Sequence, residues 1–176
     1  MKSNSCSETI HAIRDGFSYC IRPIAKNDKK GLIELFNQLS QENRYLRFAH
    51  AILKLPDAFL EDILELDYKK EMAFVAVITH SNIEKIIGIA RYVAIDSENV
   101  CEFSISIGDE YAAHGVGMNL MKYLINHAQQ QNLKKMIGYI LTGNIKMLKM
   151  VRELGFHINT ASPETGFKIA ELDLNN

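Results

Sequence analysis

Residues 101 to 124 have the sequence CEFSISIGDEYAAHGVGMNLMKYL, in which an alternating segment leads through a glycine-containing loop into a helical pattern. The alternation over 101–107 predicts a β-strand with Glu102 on its polar face. After Gly117, apolar residues recur at helical spacing. Gly115 and Gly117 leave backbone N–H groups uncovered at the helix start, and such groups hold anions. The spacing is neither a Walker loop nor GxGxxG, so on spacing alone a tight turn without a ligand explains it equally well.

The composition of the chain indicates one folded domain. It has 176 residues, of which 47% are hydrophobic and 23% charged, enough for a sizeable core. The net charge is −1 and no basic stripe stands out, which argues against nucleic acid as a partner. No apolar run reaches the ~18 residues that a membrane span needs, and no signal peptide is evident. Because no signal peptide and no membrane span are evident, we expect a cytoplasmic protein whose cysteines are thiols. The cysteines and histidines lack metal-ligand spacing, so we expect no metal.

The remaining patterns predict an α/β fold, a mixed sheet with helices on its faces. Residues 1–9 are polar and are expected to form a flexible tail, followed by a single domain over 10–174. The predicted order is a β-hairpin turning at Asp15-Gly16, two helices, three strands, a helix, a strand, a helix and two strands. The polar segment SQENRYLRFAH, residues 40–50, is expected to link the first two helices. Asn144 is predicted to cap the last helix.

Two segments resemble landmarks of one known family. ISIGDEYAAHGVGMNLM (105–121) is similar to the signature of GNAT acetyltransferases, in which an apolar strand and an R/Q-x-x-G-x-G/A loop bind acetyl-CoA. NIKMLKMVRELGF (144–156) resembles the family's Asn-started helix, which ends in Leu-Gly-Phe. A narrower resemblance, to the acetyltransferase domain of bacterial protein lysine acetyltransferases, is carried by RDGFSYCIRPI, LSQENRYLRF and CEFSISI. The likeness covers roughly residues 10 to 172.

The resemblance implies a single GNAT-like domain with a mixed, mostly antiparallel sheet that is splayed at the cofactor site. It also implies that strand 101–107 offers its free backbone to the pantetheine arm of acetyl-CoA, and that the following loop holds the diphosphate. The implied cofactor-binding residues are Ile105, Ser106, Ile107, Ala112, Ala113, His114, Gly115, Val116, Gly117 and Asn144.

The resemblance further implies direct transfer of acetyl to an amine, with Glu102 as the general base. The alternative for Glu102 is a solvated or ion-paired strand residue. A protein lysine is the favoured acceptor. The alternatives are a small-molecule amine, a non-catalytic acyl-CoA-binding module and a plain α/β domain, and the sequence gives no oligomeric state. Arg44, Tyr45, Arg47 and Phe48 lie where this family shapes its acceptor site, although a surface turn explains them equally well.

Three positions depart from the family pattern. Ala112 replaces the usual Arg or Gln, so phosphate binding there must rely on backbone and helix dipole, with weaker affinity expected. Ala113 occupies a position that is often glycine. Val151 stands where many members place the tyrosine that protonates the CoA thiolate. The general acid is therefore unassigned, with Tyr139 as a distant candidate.

Overall fold

The computed structural model describes residues 11–12, 18–48, 55–95, 99–160 and 165–175. Within these ranges, five α-helices and an eight-stranded sheet of order β1-β2-β3-β4-β5-β6-β8-β7 make up the fold. The strands are β1 His11–Ala12, β2 Ser18–Pro23, β3 Glu71–His80, β4 Ile83–Ile95, β5 Val100–Ile107, β6 Lys135–Leu141, β7 His157–Asn159 and β8 Phe167–Asp173. The helices are α1 Lys29–Gln38, α2 Gln41–Phe48, α3 Asp57–Leu64, α4 Val116–Gln130 and α5 Ile145–Glu153.

The sheet opens between β5 and β6. Its other neighbouring pairs in the described ranges are antiparallel, whereas β5 and β6 are parallel and pair only from Val100 to Glu102. On its other side, β5 stays paired with β4 as far as Ile107. The last five residues of β5 therefore have no ladder partner on β6, which confirms the predicted mixed, mostly antiparallel and splayed sheet.

The ring of Phe103 packs closely at the point where the two strands begin to separate. The ring of Phe103 covers the backbone of Gly138 in β6 so closely that a β-carbon there would meet three ring carbons. The same ring packs edge-on against Phe156, with the ring centroids 5.3 Å apart. Only glycine leaves room for the ring, so Phe103 and Gly138 fit together as a matched pair at the base of the opening.

Each face of the sheet carries its own hydrophobic core, which confirms the prediction of helices on both faces. On one face α4 packs across β3, β4 and β5, and its Leu120, Met121 and Leu124 are fully buried. Leu148 of α5 belongs to the same core. On the other face α1 and α3 cover β3 and β4. Phe103 of β5 belongs to the first of these cores, which anchors the strand beside the opening.

Two sequence-based expectations are wrong. The segment after Ser40 is not a link but helix α2, because the Ser40 hydroxyl caps its first turn by accepting a hydrogen bond from the Asn43 N–H at 3.2 Å. Cys101 is a buried free thiol, but Cys20 is disulfide-bonded, since sequence spacing does not show which cysteines meet in the fold. The predicted Asp15-Gly16 turn and the tail 1–9 lie outside the described residues, although β1 and β2 do pair antiparallel.

Candidate active site

A cleft of about 960 Å³ lies where β5 and β6 separate. One wall is β5 and the loop that follows it, and the opposite wall is β6 with the start of α5. Residues of helix α2 also line the cleft. The structure brings most of the predicted site residues to this cleft, namely Glu102, Ile105, Ser106, Ile107, Ala112, Ala113, Gly115, Gly117 and Asn144.

The loop before α4 presents a helix start without a side-chain cap. Gly115 is the N-cap residue, its φ is +77°, and it has no side chain that could cap the first turn of α4. A left-handed φ at that point favours glycine. The first N–H groups of α4 are the ones that a helix leaves without internal partners. This end of the cleft therefore suits an anion.

The two remaining loop positions do not line the cleft with their side chains. His114 is partly exposed to solvent, while Val116 is fully buried in the core beneath α4. Any contact of Val116 with a ligand must therefore come from its backbone N–H. A role for either residue in cofactor binding stays a prediction.

Gly117 has a packing reason to be glycine. A β-carbon at this position would lie 3.2 Å from the Sδ atom of Met150 in α5, which is tighter than ordinary van der Waals contact. The missing side chain lets the start of α4 approach α5 closely. The sequence predicted a ligand-related role for both glycines; the structure adds that Gly117 also sets the distance between the two helices that flank the cleft.

Asn144 caps α5, as predicted. Its side-chain oxygen accepts a hydrogen bond from the Met147 N–H at 3.2 Å. Because Asn144 also lines the cleft, the cap holds the end of α5 in the opposite wall. Contact between Asn144 and a cofactor stays a prediction.

Glu102 is the last β5 residue paired with β6 and the first side chain on the open part of the cleft. It is exposed, between the buried Cys101 and Phe103, which confirms the predicted alternation. Arg47 of α2 also lines the cleft. Burial lowers the pKa of Arg47 to about 10, and the charge of Arg91 adds to this shift. The Glu102 carboxylate opposes the shift. A carboxylate and a partly desolvated guanidinium thus act on each other at this end of the cleft.

Helix α2 is tied to the loop that follows β5. The Asp109 carboxylate accepts hydrogen bonds from the Ser40 N–H at 3.0 Å and the Asn43 side-chain amide at 2.7 Å. Burial raises the pKa of Asp109, but the hydrogen bonds from Asn43 and Ser40, helped by the charge of Lys146, outweigh burial and lower that pKa. This bridge fixes α2, and therefore Arg47, beside the cleft.

The other residues predicted near the acceptor differ in role. Arg44 donates hydrogen bonds to the carbonyls of Leu39 and Asn37 and lies over the ring of Phe36, so it closes the end of α1. Tyr45 is exposed. The sequence pattern predicts one role for Arg44 and Arg47. The structure shows that Arg44 caps the end of α1, whereas Arg47 lines the cleft.

The positions of Val151 and Tyr139 bear on the unassigned general acid. Val151 is fully buried in the core and does not line the cleft. Tyr139 of β6 is 42% exposed and does line it, on the wall opposite β5. The structure therefore places a phenol in the same cleft as Glu102, which the sequence suggested only weakly because the two residues are far apart along the chain.

Two further observations concern the described part of the chain. No group of three His, Cys, Asp or Glu side chains there is close enough to hold a metal ion. Among its helices, none is both long and apolar enough to cross a membrane.

Sequence comparison finds clear relatives. The family model for the acetyltransferase (GNAT) domain matches residues 19–157. The chain is 31% identical over 147 residues to acetyltransferase PA5475 of Pseudomonas aeruginosa, an alignment that covers 84% of this chain and 79% of that protein. It is 30% identical over 144 residues to acetyltransferase Pat of Mycolicibacterium smegmatis, covering 81% of this chain but only 42% of Pat.

Solved structures share the fold. The GNAT domain of S. lividans PAT superposes with a TM-score of 0.84 at 22% identity, covering 98% of this chain and 99% of that one. The protein yncA from Salmonella typhimurium, solved with its cofactor acetyl-CoA, superposes with a TM-score of 0.69 at 18% identity, covering 90% of this chain and 95% of that one. At these identities the likeness concerns the architecture.

Proposed function

This chain belongs to the acetyltransferase (GNAT) family, and we propose that it transfers acetyl from acetyl-CoA to the side-chain amine of a protein lysine, with Glu102 as general base. Family membership favours an enzyme over the non-catalytic module and the plain α/β domain. The choice of a protein lysine is supported by the segments that resemble bacterial protein lysine acetyltransferases, CEFSISI among them. The exposed position of Glu102 also suits an acceptor amine carried on a long side chain.

The observation that carries this proposal is the unpaired end of β5 beside an uncapped helix start. Residues 103–107 have no ladder partner on β6, and Gly115 opens α4 without a side-chain cap. An elongated ligand with amides in its middle and phosphates at one end matches this arrangement, because backbone groups can pair with amides and helix N–H groups can hold phosphate. Acetyl-CoA has that layout, so the residues present fit it.

Bound acetyl-CoA would supply an activated thioester; the chain has to supply an unprotonated amine. A lysine ammonium has a pKa of ~10.4 and must lose a proton before its nitrogen attacks. Glu102 lies at the inner end of the open strand edge, where its carboxylate would take that proton directly or through water. The negative charge of Glu102 also acts on Arg47, whose pKa it raises against the effect of burial.

The departing CoA thiolate needs little help. An ordinary thiol has a pKa of ~8.5, so the thiolate is a fair leaving group without full protonation by an acid. Tyr139 is the phenol that lines the cleft, and we assign it as the proton donor to the sulfur. Tyr139→Phe is expected to reduce turnover by less than Glu102→Gln does.

The test of the base is Glu102→Gln, assayed with acetyl-CoA and a lysine peptide whose N-terminus is blocked. Turnover should fall ~10²-fold or more, with acetyl-CoA affinity retained. Glu34→Gln is the matched control, because Glu34 is a half-exposed α1 residue that pairs only loosely with Lys30, at 3.7 Å. Unchanged turnover in Glu102→Gln would remove Glu102 from the mechanism.

One observation favours a second acceptor class, small-molecule amines that also carry a carboxylate. Arg47 lines both the main cleft and a smaller apolar pocket beneath α1 and α3, and a guanidinium pairs well with a carboxylate. Free amino acids present both groups. An acceptor panel of blocked lysine peptides and free amino acids, with CoA thiol release as the readout, separates the classes. Turnover confined to amino acids and lost in Arg47→Ala would replace the protein lysine as acceptor.

A further inference from the structure

Ala112 leaves the phosphate end of the cleft without the cation that the family pattern places in the loop. Helix N–H groups and the helix dipole offer only about half a positive charge to an anion, whereas a diphosphate carries at least two negative charges. Among the described residues, the cations that line the cleft are Arg47, Lys146 and Lys149. Arg47 lies at the Glu102 end, so the other two are the candidates near the loop.

The packing of α5 brings Lys146 to the loop. Met150 contacts the start of α4 at Gly117. Lys146 precedes Met150 by four residues, so both lie on the same face of α5, one turn apart. A second observation agrees with this position, because the charge of Lys146 helps to lower the pKa of Asp109 at the beginning of the loop.

Lys149 is less suitable. It lies within 3.9 Å of Glu153, one turn further along α5, and this carboxylate offsets its charge. Lys146 has no carboxylate within ion-pair distance in the part of the chain that the structure describes. Lys146 is exposed, and its long, flexible side chain lines the cleft.

We propose that Lys146 contacts a phosphate of acetyl-CoA and so supplies, from α5, the charge that Ala112 does not supply from the loop. This inference rests on the proposed function, because it assumes that the cleft takes acetyl-CoA. Ala112 alone predicts weaker phosphate binding. With Lys146, the cleft still has a cation near the loop although the loop itself has none. Lys146 is a binding residue for the cofactor and takes no part in the proton transfer.

The test is calorimetric titration of Lys146→Ala with acetyl-CoA, beside the wild type and Lys122→Ala. Lys122 is an exposed α4 residue outside the cleft, so its loss makes the same change in net charge elsewhere. Lys146→Ala should weaken binding about tenfold, as expected for one charge-assisted contact at a partly exposed site. Lys122→Ala should change the dissociation constant less than twofold. Unfolding temperatures show whether both variants keep the fold.

Titration with 3′-dephospho-CoA identifies the phosphate. If Lys146→Ala still loses about tenfold, Lys146 contacts the diphosphate; if the loss disappears, it contacts the 3′-phosphate. Either result supports a phosphate contact, but only the first supports the claim that Lys146 replaces the charge missing at Ala112. Ala112→Arg in the Lys146→Ala background should restore affinity where both positions serve the diphosphate.

Two results would overturn the proposal, and they differ in meaning. If the wild type binds acetyl-CoA and Lys146→Ala binds it equally well, Lys146 has no role although the proposed function stands. If the wild type does not bind acetyl-CoA, the proposed function fails and the role of Lys146 fails with it.

Discussion

Replacing Gly138 with alanine should destabilise the protein, because Phe103 occupies the space a side chain would need. A β-carbon at 138 would lie 2.5 Å from Cζ and 2.9 Å from Cδ1 of the Phe103 ring. The ring is held by Phe156 and cannot move away freely. Overpacking of this kind costs about 1–3 kcal/mol. For a domain of this size, that loss lowers the melting temperature by roughly 2–12 °C.

Thermal unfolding measures the change, and two further variants identify its cause. Gly143→Ala is the control, since no atom lies within 4 Å of a β-carbon at 143, and it should shift the melting temperature little. In a Phe103→Leu background, Gly138→Ala should cost at least about 1 kcal/mol less than in the wild type, because the ring it meets is gone. Equal costs in the two backgrounds, or an unchanged melting temperature for Gly138→Ala, would refute the matched-pair account of the opening.

Three further predictions concern the loop, the α5 cap and pH. Gly115→Ala should weaken acetyl-CoA binding by up to about 5–30-fold by calorimetry. An alanine loop that relaxes from the φ of +77° in the free protein has to regain it on binding, at a cost of about 1–2 kcal/mol. Equal affinity would show that the loop conformation is not needed. Asn144→Ala should cost about 1 kcal/mol in urea unfolding, and no loss would mean that the cap is not stabilising. Burial lowers the pKa of His127 and of His11, so the unfolded chain binds their protons first as the pH falls. The free energy of unfolding should therefore decrease below about pH 6.5. His127→Gln should reduce that decrease between about pH 7.5 and 5.5, and an unreduced decrease would assign it to other groups.

The sequence alone predicts β5, its loop and α4, because each of them depends on a local pattern of residues. Alternation over 101–107 determines which side chains of β5 are buried, and the glycine pair followed by helical spacing marks the start of α4. The cap at Asn144 is equally local. Burial of Cys101 and exposure of Glu102 follow from the two-residue period alone.

What the sequence could not predict depends on contacts between distant segments. Helix α2 is mostly polar, and its Ser40 cap was a signal that sequence reasoning overlooked. The pairing of Phe103 with Gly138, and the approach of Arg47 to Glu102, join residues that are separated by more than thirty positions. Cytoplasmic location and the roles of the individual site residues stay predictions.

The central claim is that the cleft between β5 and β6 binds acetyl-CoA, and calorimetric titration of the purified protein with acetyl-CoA tests it most directly. The account predicts one site per chain with an affinity of about micromolar order, together with weaker binding when Gly115 is replaced by alanine. An absence of binding up to about millimolar acetyl-CoA would contradict the account, because it would show that the unpaired edge of β5 and the uncapped start of α4 do not form a cofactor site.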